Sequence, residues 1–107
     1  MTGEMNMKML NIICREKYND EVLVLFSGLG IKGYTVINGA GGSGESGSVS
    51  GTHGWTDRNT MYLVALDEEH MTALANGVRE LHTRLVEEHH GHEVPFKVFL
   101  YPCEVIV

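Results

Sequence analysis

The chain has 107 residues, of which 43% are hydrophobic, and this length supports one domain, residues 1–107, with one modest core. Its 8 basic residues against 14 acidic residues give a formal net charge of -6, which argues against a nucleic-acid-binding protein because such proteins need a basic face. The first residues lack the apolar core of a signal peptide, and no apolar run reaches the length of a membrane span, so the sequence predicts a cytoplasmic protein.

The first part of the chain predicts a β-α-β unit. The apolar run at residues 9–14 predicts a strand. Asn19 and Asp20 are typical helix-capping residues, and the apolar residues after them recur at spacings of three and four, so they predict a helix. The glycines at residues 28–30 are typical of a helix end, and residues 33–38 predict a second strand.

The segment from residue 39 to residue 58 differs from the rest of the chain. Residues 39–54 hold seven of the thirteen glycines and four serines. Such a segment has few apolar side chains to bury, so it predicts a long flexible loop between the second and third strands. A loop of this length in a small domain is usually functional, and Trp55 and Arg58 are candidate contacts for a partner protein. Its composition also fits a plain linker.

The rest of the chain predicts a second β-α-β unit. Residues 59–66 predict a strand. Apolar residues occupy both sets of alternate positions, so both faces of this strand are apolar. Asp67 is a predicted cap for a helix over residues 68–89, whose apolar residues follow the helical repeat. Residues 96–107 predict a last strand, or a pair of strands interrupted near Pro102, because proline cannot donate to a ladder.

This order of elements, βαββαβ, predicts a ferredoxin-like α+β domain with an antiparallel sheet and two helices on one face. Two helices cover only one face of a four-stranded sheet. Because the strand at residues 59–66 is apolar on both faces, the uncovered face would be a large apolar patch on a monomer. The sequence therefore predicts self-association.

Two sequence phrases resemble the PII signal-transduction superfamily. Residues 30–36, GIKGYTV, resemble the family's G-I-x-G-x-T-V phrase before its long T-loop, and Phe96–Pro102, FKVFLYP, looks like its G-K-I-F-V-x-P strand. Residues 89–95, HHGHEVP, depart from the family's T-G-x-x-G-D-G phrase, so the chain resembles a divergent PII-like member. The resemblance implies a homotrimer whose clefts between subunits bind a small effector, an adenine nucleotide in the family, and whose T-loop signals to a partner such as a membrane transporter.

The resemblance also implies site residues. Thr35, Gly41 and Ser43 would lie at the base of the loop, and Lys97 would contact the phosphates. This assignment agrees with their chemistry, because glycines let backbone N–H groups approach an anion and lysine supplies positive charge.

A second function is left open by His89, His90 and His92, which lie within four residues. Clustered imidazoles are ligands for divalent Zn, Cu or Ni, so the chain could be a metal-binding or metal-tolerance trimer. The alternative is a solvated helix end, where a protonated histidine interacts favourably with the helix dipole.

The sequence contains no recognisable set of acid, base and nucleophile, and Cys103 lies within an apolar run where a thiol is expected to be inert. These observations predict a protein that is not an enzyme, and the resemblance implies a regulator that requires no cofactor. A small enzyme with the loop as its lid is a third alternative.

Overall fold

A computed structural model describes residues 6–44, 47–49 and 58–107, and the side chains of 42–44 and 47–49 are not part of that description. One helix follows the first strand, and the second helix lies between the last two strands. The elements are β1 (Met7–Arg15), α1 (Asn19–Gly28), β2 (Thr35–Ala40), β3 (Gly42–Gly44), β4 (Gly47–Val49), β5 (Asn59–Asp67), α2 (Glu68–Glu88) and β6 (Phe96–Pro102).

Four strands form one sheet in the order β2-β5-β1-β6, and every neighbouring pair is antiparallel. The two strands at the centre, β1 and β5, pair along their whole length, from Met7 opposite Asp67 to Arg15 opposite Asn59. The two edge strands of the sheet are β2 and β6.

Both helices pack on the same face of this sheet. Alternate residues of the central strands, such as Ile12 and Val64, are fully buried there, as expected for side chains that point to one face of a pleated strand. The helices contribute Phe26 from α1 and Leu74 from α2 to the same apolar cluster. The prediction of a ferredoxin-like α+β fold is confirmed.

The two helices approach each other closely at Gly77. A Cβ atom added there would lie 2.8 Å from Cδ1 of Leu25 on α1. Neither helix, nor any other in the described part of the chain, is long and apolar enough to cross a membrane.

Two predictions about the ends of elements are wrong: the end of the last strand and the capping residue of the first helix. The last strand ends at Pro102, and residues 103–107 form no strand in the protomer, although the Cys103 N–H still donates to the Met7 carbonyl at 3.1 Å. At the start of α1, the N-cap position is Tyr18, without a side-chain cap, and the Asn19 side chain instead accepts a hydrogen bond of 2.8 Å from the Tyr62 hydroxyl. A tertiary partner therefore takes the group that the local sequence assigns to capping.

The segment predicted as a long loop contains regular structure. Strands β3 and β4 pair antiparallel as a separate two-stranded ribbon, with Gly42 opposite Val49 and Gly44 opposite Gly47. The segment between the second and third strands of the main sheet thus includes a short two-stranded ribbon at residues 42–44 and 47–49.

Candidate functional site

The loop leaves the sheet at a bulge in β2. Ile37 lies opposite Met61, but Ala40 lies opposite Asn59, so β2 contains one residue more than β5 over this stretch. Gly39 lies in the bulge with a φ of 72°, in the left-handed region that glycine adopts without strain. At this bulge the Gly39 N–H donates to a side chain that lies outside the β2–β5 pair.

Glu16 contacts both ends of the loop. Its Oε2 accepts a hydrogen bond of 3.1 Å from the Gly39 N–H, and its Oε1 lies 3.6 Å from Nε of Arg58. The Glu16 backbone N–H also donates to the Arg58 carbonyl at 3.0 Å, which extends the β1–β5 ladder by one step. The side chain of Glu16 is only 16% exposed, so solvent screens these contacts less than it would at an open surface.

Lys97 lies on the other edge of the sheet. It is exposed on β6 and pairs in register with Ile13, on the face opposite the helices. Thr35 is exposed on the same open face but lies on β2. Three strand spacings separate β2 from β6, roughly 14 Å at the usual spacing. One protomer therefore does not bring Lys97 and the loop base together.

The other predicted residues of the loop are placed less fully. Gly41 follows directly after β2 and is exposed, and the backbone of Ser43 lies in β3. Trp55 lies outside the described residues. Arg58 is half-buried at the point where the chain enters β5, where it contacts Glu16.

The open face of the sheet is largely apolar. Ile37 on β2 is 46% exposed and Phe99 on β6 is 52% exposed. Between them lie Met61 and Ile13, which are half-buried although no described element of the protomer covers this face. The sequence predicted this uncovered apolar face.

The three clustered histidines do not form a metal site in the described residues, which contain no group of three or more His, Cys, Asp or Glu side chains able to hold an ion. Both ring nitrogens of His89 contact protein atoms: Nδ1 lies 2.8 Å from the Leu85 carbonyl, and Nε2 lies 3.3 Å from the Tyr18 hydroxyl. His90 and His92 are located in the turn after α2, at the surface of the protomer.

Neither free cysteine is placed as an activated nucleophile. Burial, followed by the nearby Glu21 charge, raises the pKa of the Cys14 thiol to about 12, so the thiolate form is scarce near neutral pH. Cys103 is half-buried after the end of β6. Burial likewise raises the pKa of the Tyr62 hydroxyl, which donates to Asn19.

A cleft of about 270 Å³ lies between α2 and β6 on the helix side of the sheet. Its wall includes Arg79 and His82 from α2 and Phe96 and Val98 from β6. Within the part of the chain that the structure describes, its lining includes none of the residues predicted to bind a ligand, and Lys97 points to the other face of the sheet.

Sequence reasoning missed Glu16. Its contacts are with residues 23 and 42 positions further along the chain, and no local motif indicates contacts at that separation. Only the pairing of β1 with β5 and of β5 with β2 brings Glu16 beside Gly39 and Arg58.

The chain matches the model of the family described as nitrogen regulatory protein P-II over residues 7–107. No curated protein matches the chain. Among solved structures, it is similar to CPII, a nitrogen regulatory PII-like protein from Thiomonas intermedia K12, bound to ADP, AMP and bicarbonate. The identity is 25% and the TM-score 0.68, over 92% of this chain and 87% of that chain.

Two further structures share the fold at lower identity. Arabidopsis thaliana PII bound to citrate is 18% identical, with a TM-score of 0.63 over 92% of this chain and 78% of that chain. A PII-like signalling protein from Thermus thermophilus is 17% identical, with a TM-score of 0.58 over 94% of this chain and 89% of that chain. The chain is thus a PII-like regulatory protein and belongs to the nitrogen regulatory protein P-II family.

Proposed function

We propose that this chain forms a homotrimer, binds an adenine nucleotide in each cleft between neighbouring protomers, and reports the bound ligand to a partner through residues 39–58. The observation that carries the proposal is the position of the predicted ligand residues on opposite edges of one sheet. Lys97 on β6 and the loop base beside β2 can meet only when a second copy brings its own edge strand alongside.

The chemistry of the two edges supports this arrangement. Lys97 offers a charged group with a flexible stem, suited to a phosphate. Across the interface, Gly41 is exposed and has no Cβ, so its backbone can approach an anion closely. Thr35 on the open face adds a hydroxyl that can donate or accept. Together these groups favour a small anionic ligand held between two protomers.

The class of ligand follows from the relatives. The CPII structure is bound to ADP, AMP and bicarbonate, so we propose an adenine nucleotide as the main ligand of this chain and a small oxyanion as a second one. The binding of a ligand changes the loop population tenfold if its affinity for the two states differs by about 1.4 kcal/mol. We propose a cytoplasmic trimer whose partner is a membrane transporter, on the family resemblance alone. The metal hypothesis stays a prediction, and no contact in the described residues favours it.

Calorimetric titration of the purified oligomer with ADP, AMP and ATP, each with and without bicarbonate, tests the proposal. We expect ADP to bind, and Lys97→Ala to weaken its binding by at least about tenfold, since a hydrogen bond to a charged group contributes about 1.5–3 kcal/mol. Lys8→Ala is the matched control, because Lys8 lies opposite Pro102 at the far end of the same sheet. Equal losses in both variants, or no nucleotide binding by the wild type, would contradict the proposed site.

A further inference from the structure

Glu16 contacts both Gly39 and Arg58, the two ends of the proposed signalling loop. It lies in the short 3-10 turn between β1 and α1, directly after the last residue of β1. Its backbone position is fixed by the extra ladder bond to Arg58. Its side chain is therefore held at the point where the chain enters and leaves the loop.

Each of the two side-chain contacts has a structural reason. At Gly39 the bulge leaves an N–H without a ladder partner, and the Glu16 carboxylate accepts its hydrogen bond. At Arg58, Nε is shielded from solvent and donates no hydrogen bond to any described residue. The carboxylate 3.6 Å away supplies the opposite charge that this shielded group requires.

We infer that Glu16 is a positioning residue that fixes both ends of the loop, so that Gly39 and Arg58 have one relative placement before a ligand arrives. The inference rests on the proposed function, because the placement matters for binding only if a ligand sits at the loop base. Holding the two ends of a long segment lowers the conformational entropy of the free loop. Less entropy is then lost when a ligand binds. Loss of the Glu16 carboxylate should therefore weaken ligand binding, although it removes no group that touches the ligand.

Amide hydrogen exchange of Gly39, measured by NMR on the full chain, tests the first half of the inference. We expect Glu16→Ala to speed exchange at Gly39 at least tenfold. Glu16→Gln should give a smaller increase, since its amide oxygen still accepts from Gly39 but carries no charge for Arg58. Glu87→Gln, which removes a carboxylate from an exposed position on α2, is the matched control and should leave Gly39 exchange unchanged. Unchanged exchange in Glu16→Ala would overturn the inference.

Calorimetric titration with ADP tests the second half on the same variants. We expect binding to weaken by three- to tenfold in Glu16→Ala and by less in Glu16→Gln, with the melting temperature of Glu16→Gln within the range of the Glu87→Gln control. Faster exchange at Gly39 with unchanged ADP affinity would overturn the positioning role. The contact between Glu16 and Gly39 would then stabilise only the local structure. If the wild type binds no ADP, the proposed function fails and this half fails with it, while the exchange result still decides whether Glu16 holds the loop ends.

A double-mutant cycle separates the ion pair from the hydrogen bond. Glu16→Gln and Arg58→Gln each remove one charge of the pair at 3.6 Å. If the two charges act as a unit, the double variant should bind ADP with about the same affinity as the single variant that binds ADP more weakly. A loss equal to the product of the two single losses would show that Arg58 acts independently of Glu16 and would overturn the ion-pair part of the inference.

Discussion

At the scale of single residues, the loop base depends on backbone conformation as much as on charge. Gly39 occupies the left-handed region at a bulge. Among the described residues other than its two chain neighbours, the heavy atom nearest to an added Cβ is Cδ of Arg58, at 3.9 Å. A side chain at residue 39 therefore meets no close contact, and the cost of adding one comes from the backbone alone. This makes Gly39 a clean test of the bulge.

Gly39→Ala should lower the free energy of unfolding by about 1 kcal/mol, because an alanine in the left-handed region brings its Cβ too close to the following carbonyl oxygen. Urea unfolding at fixed protein concentration measures this change. Gly33→Ala is the control, since Gly33 has no heavy atom within 4 Å of an added Cβ and no positive φ, and it should change stability by less than about 0.5 kcal/mol. Equal effects at the two glycines would show that the bulge does not require glycine.

At the scale of elements, the start of α2 is defined by a pair of exposed charged groups. Asp67 caps the helix by accepting a 2.9 Å hydrogen bond from the His70 N–H, and Nδ1 of His70 lies 2.8 Å from both carboxylate oxygens. The hydrogen bonds from the His70 backbone and then its ring hold the pKa of Asp67 below its ordinary value of 3.8. The hydrogen bond to Asp67, and then its charge, raise the pKa of His70 above 6.5.

The directions of these two shifts give a pH dependence. The contribution of Asp67 is present above pH 3.8 and is lost as the pH falls through its lowered pKa. The contribution of His70 is complete below pH 6.5 and is lost as the pH rises through its raised pKa. Both groups are charged between these two values, so the pair stabilises the helix most near pH 5.

We therefore expect His70→Ala to destabilise the protein more at pH 5.5 than at pH 8.5, as measured by urea unfolding at the two pH values. Asp67→Asn serves as the control background, because asparagine can still cap the helix but carries no charge to attract a protonated His70. In that background the effect of His70→Ala should be the same at both pH values. A pH-independent effect in the wild-type background would show that the ring contact contributes no electrostatic stabilisation.

At the scale of the whole molecule, the open face of the sheet is the main feature that the described part of one protomer leaves uncovered. It carries Phe99 and Ile37 at opposite edges, and Asn11 lies at its centre with a side-chain oxygen that is buried and unpaired among the described residues. Burying a large apolar side chain stabilises an interface by about 1.5–3 kcal/mol. Such a face favours association of identical chains, as proposed for the trimer.

Phe99→Asp should prevent this association, because an unpaired carboxylate buried in an apolar contact costs several kcal/mol. Light scattering after gel filtration should then show a mass near the 11.9 kDa of one chain, where the wild type should show about three times that mass. Val24→Asp is the matched control, since Val24 is 71% exposed on α1 and lies on the helix side of the sheet. A trimer that persists in Phe99→Asp would place the contact between copies elsewhere.

The sequence predicted most of the fold because hydrophobic periodicity reports which face of an element is buried. The apolar run of β5 and the repeat of α2 each identified their element, and the repeat of α2 also identified its buried face. Prediction failed where a distant group competes with a local preference. Asn19 has the chemistry of a cap, but its oxygen accepts from Tyr62, which is 43 residues away.

For the candidate site as well, local features could be predicted from the sequence and long-range contacts could not. The sequence by itself determined that a glycine-rich segment lies between two strands and that Lys97 belongs to the last strand, because composition and periodicity are local properties. Only the tertiary structure decided that Lys97 and the loop base occupy opposite edges of the sheet, and that Glu16 joins Gly39 to Arg58. The physical reason is that strand order and register set which residues meet across the sheet, and hydrogen bonds between strands distant in sequence determine both.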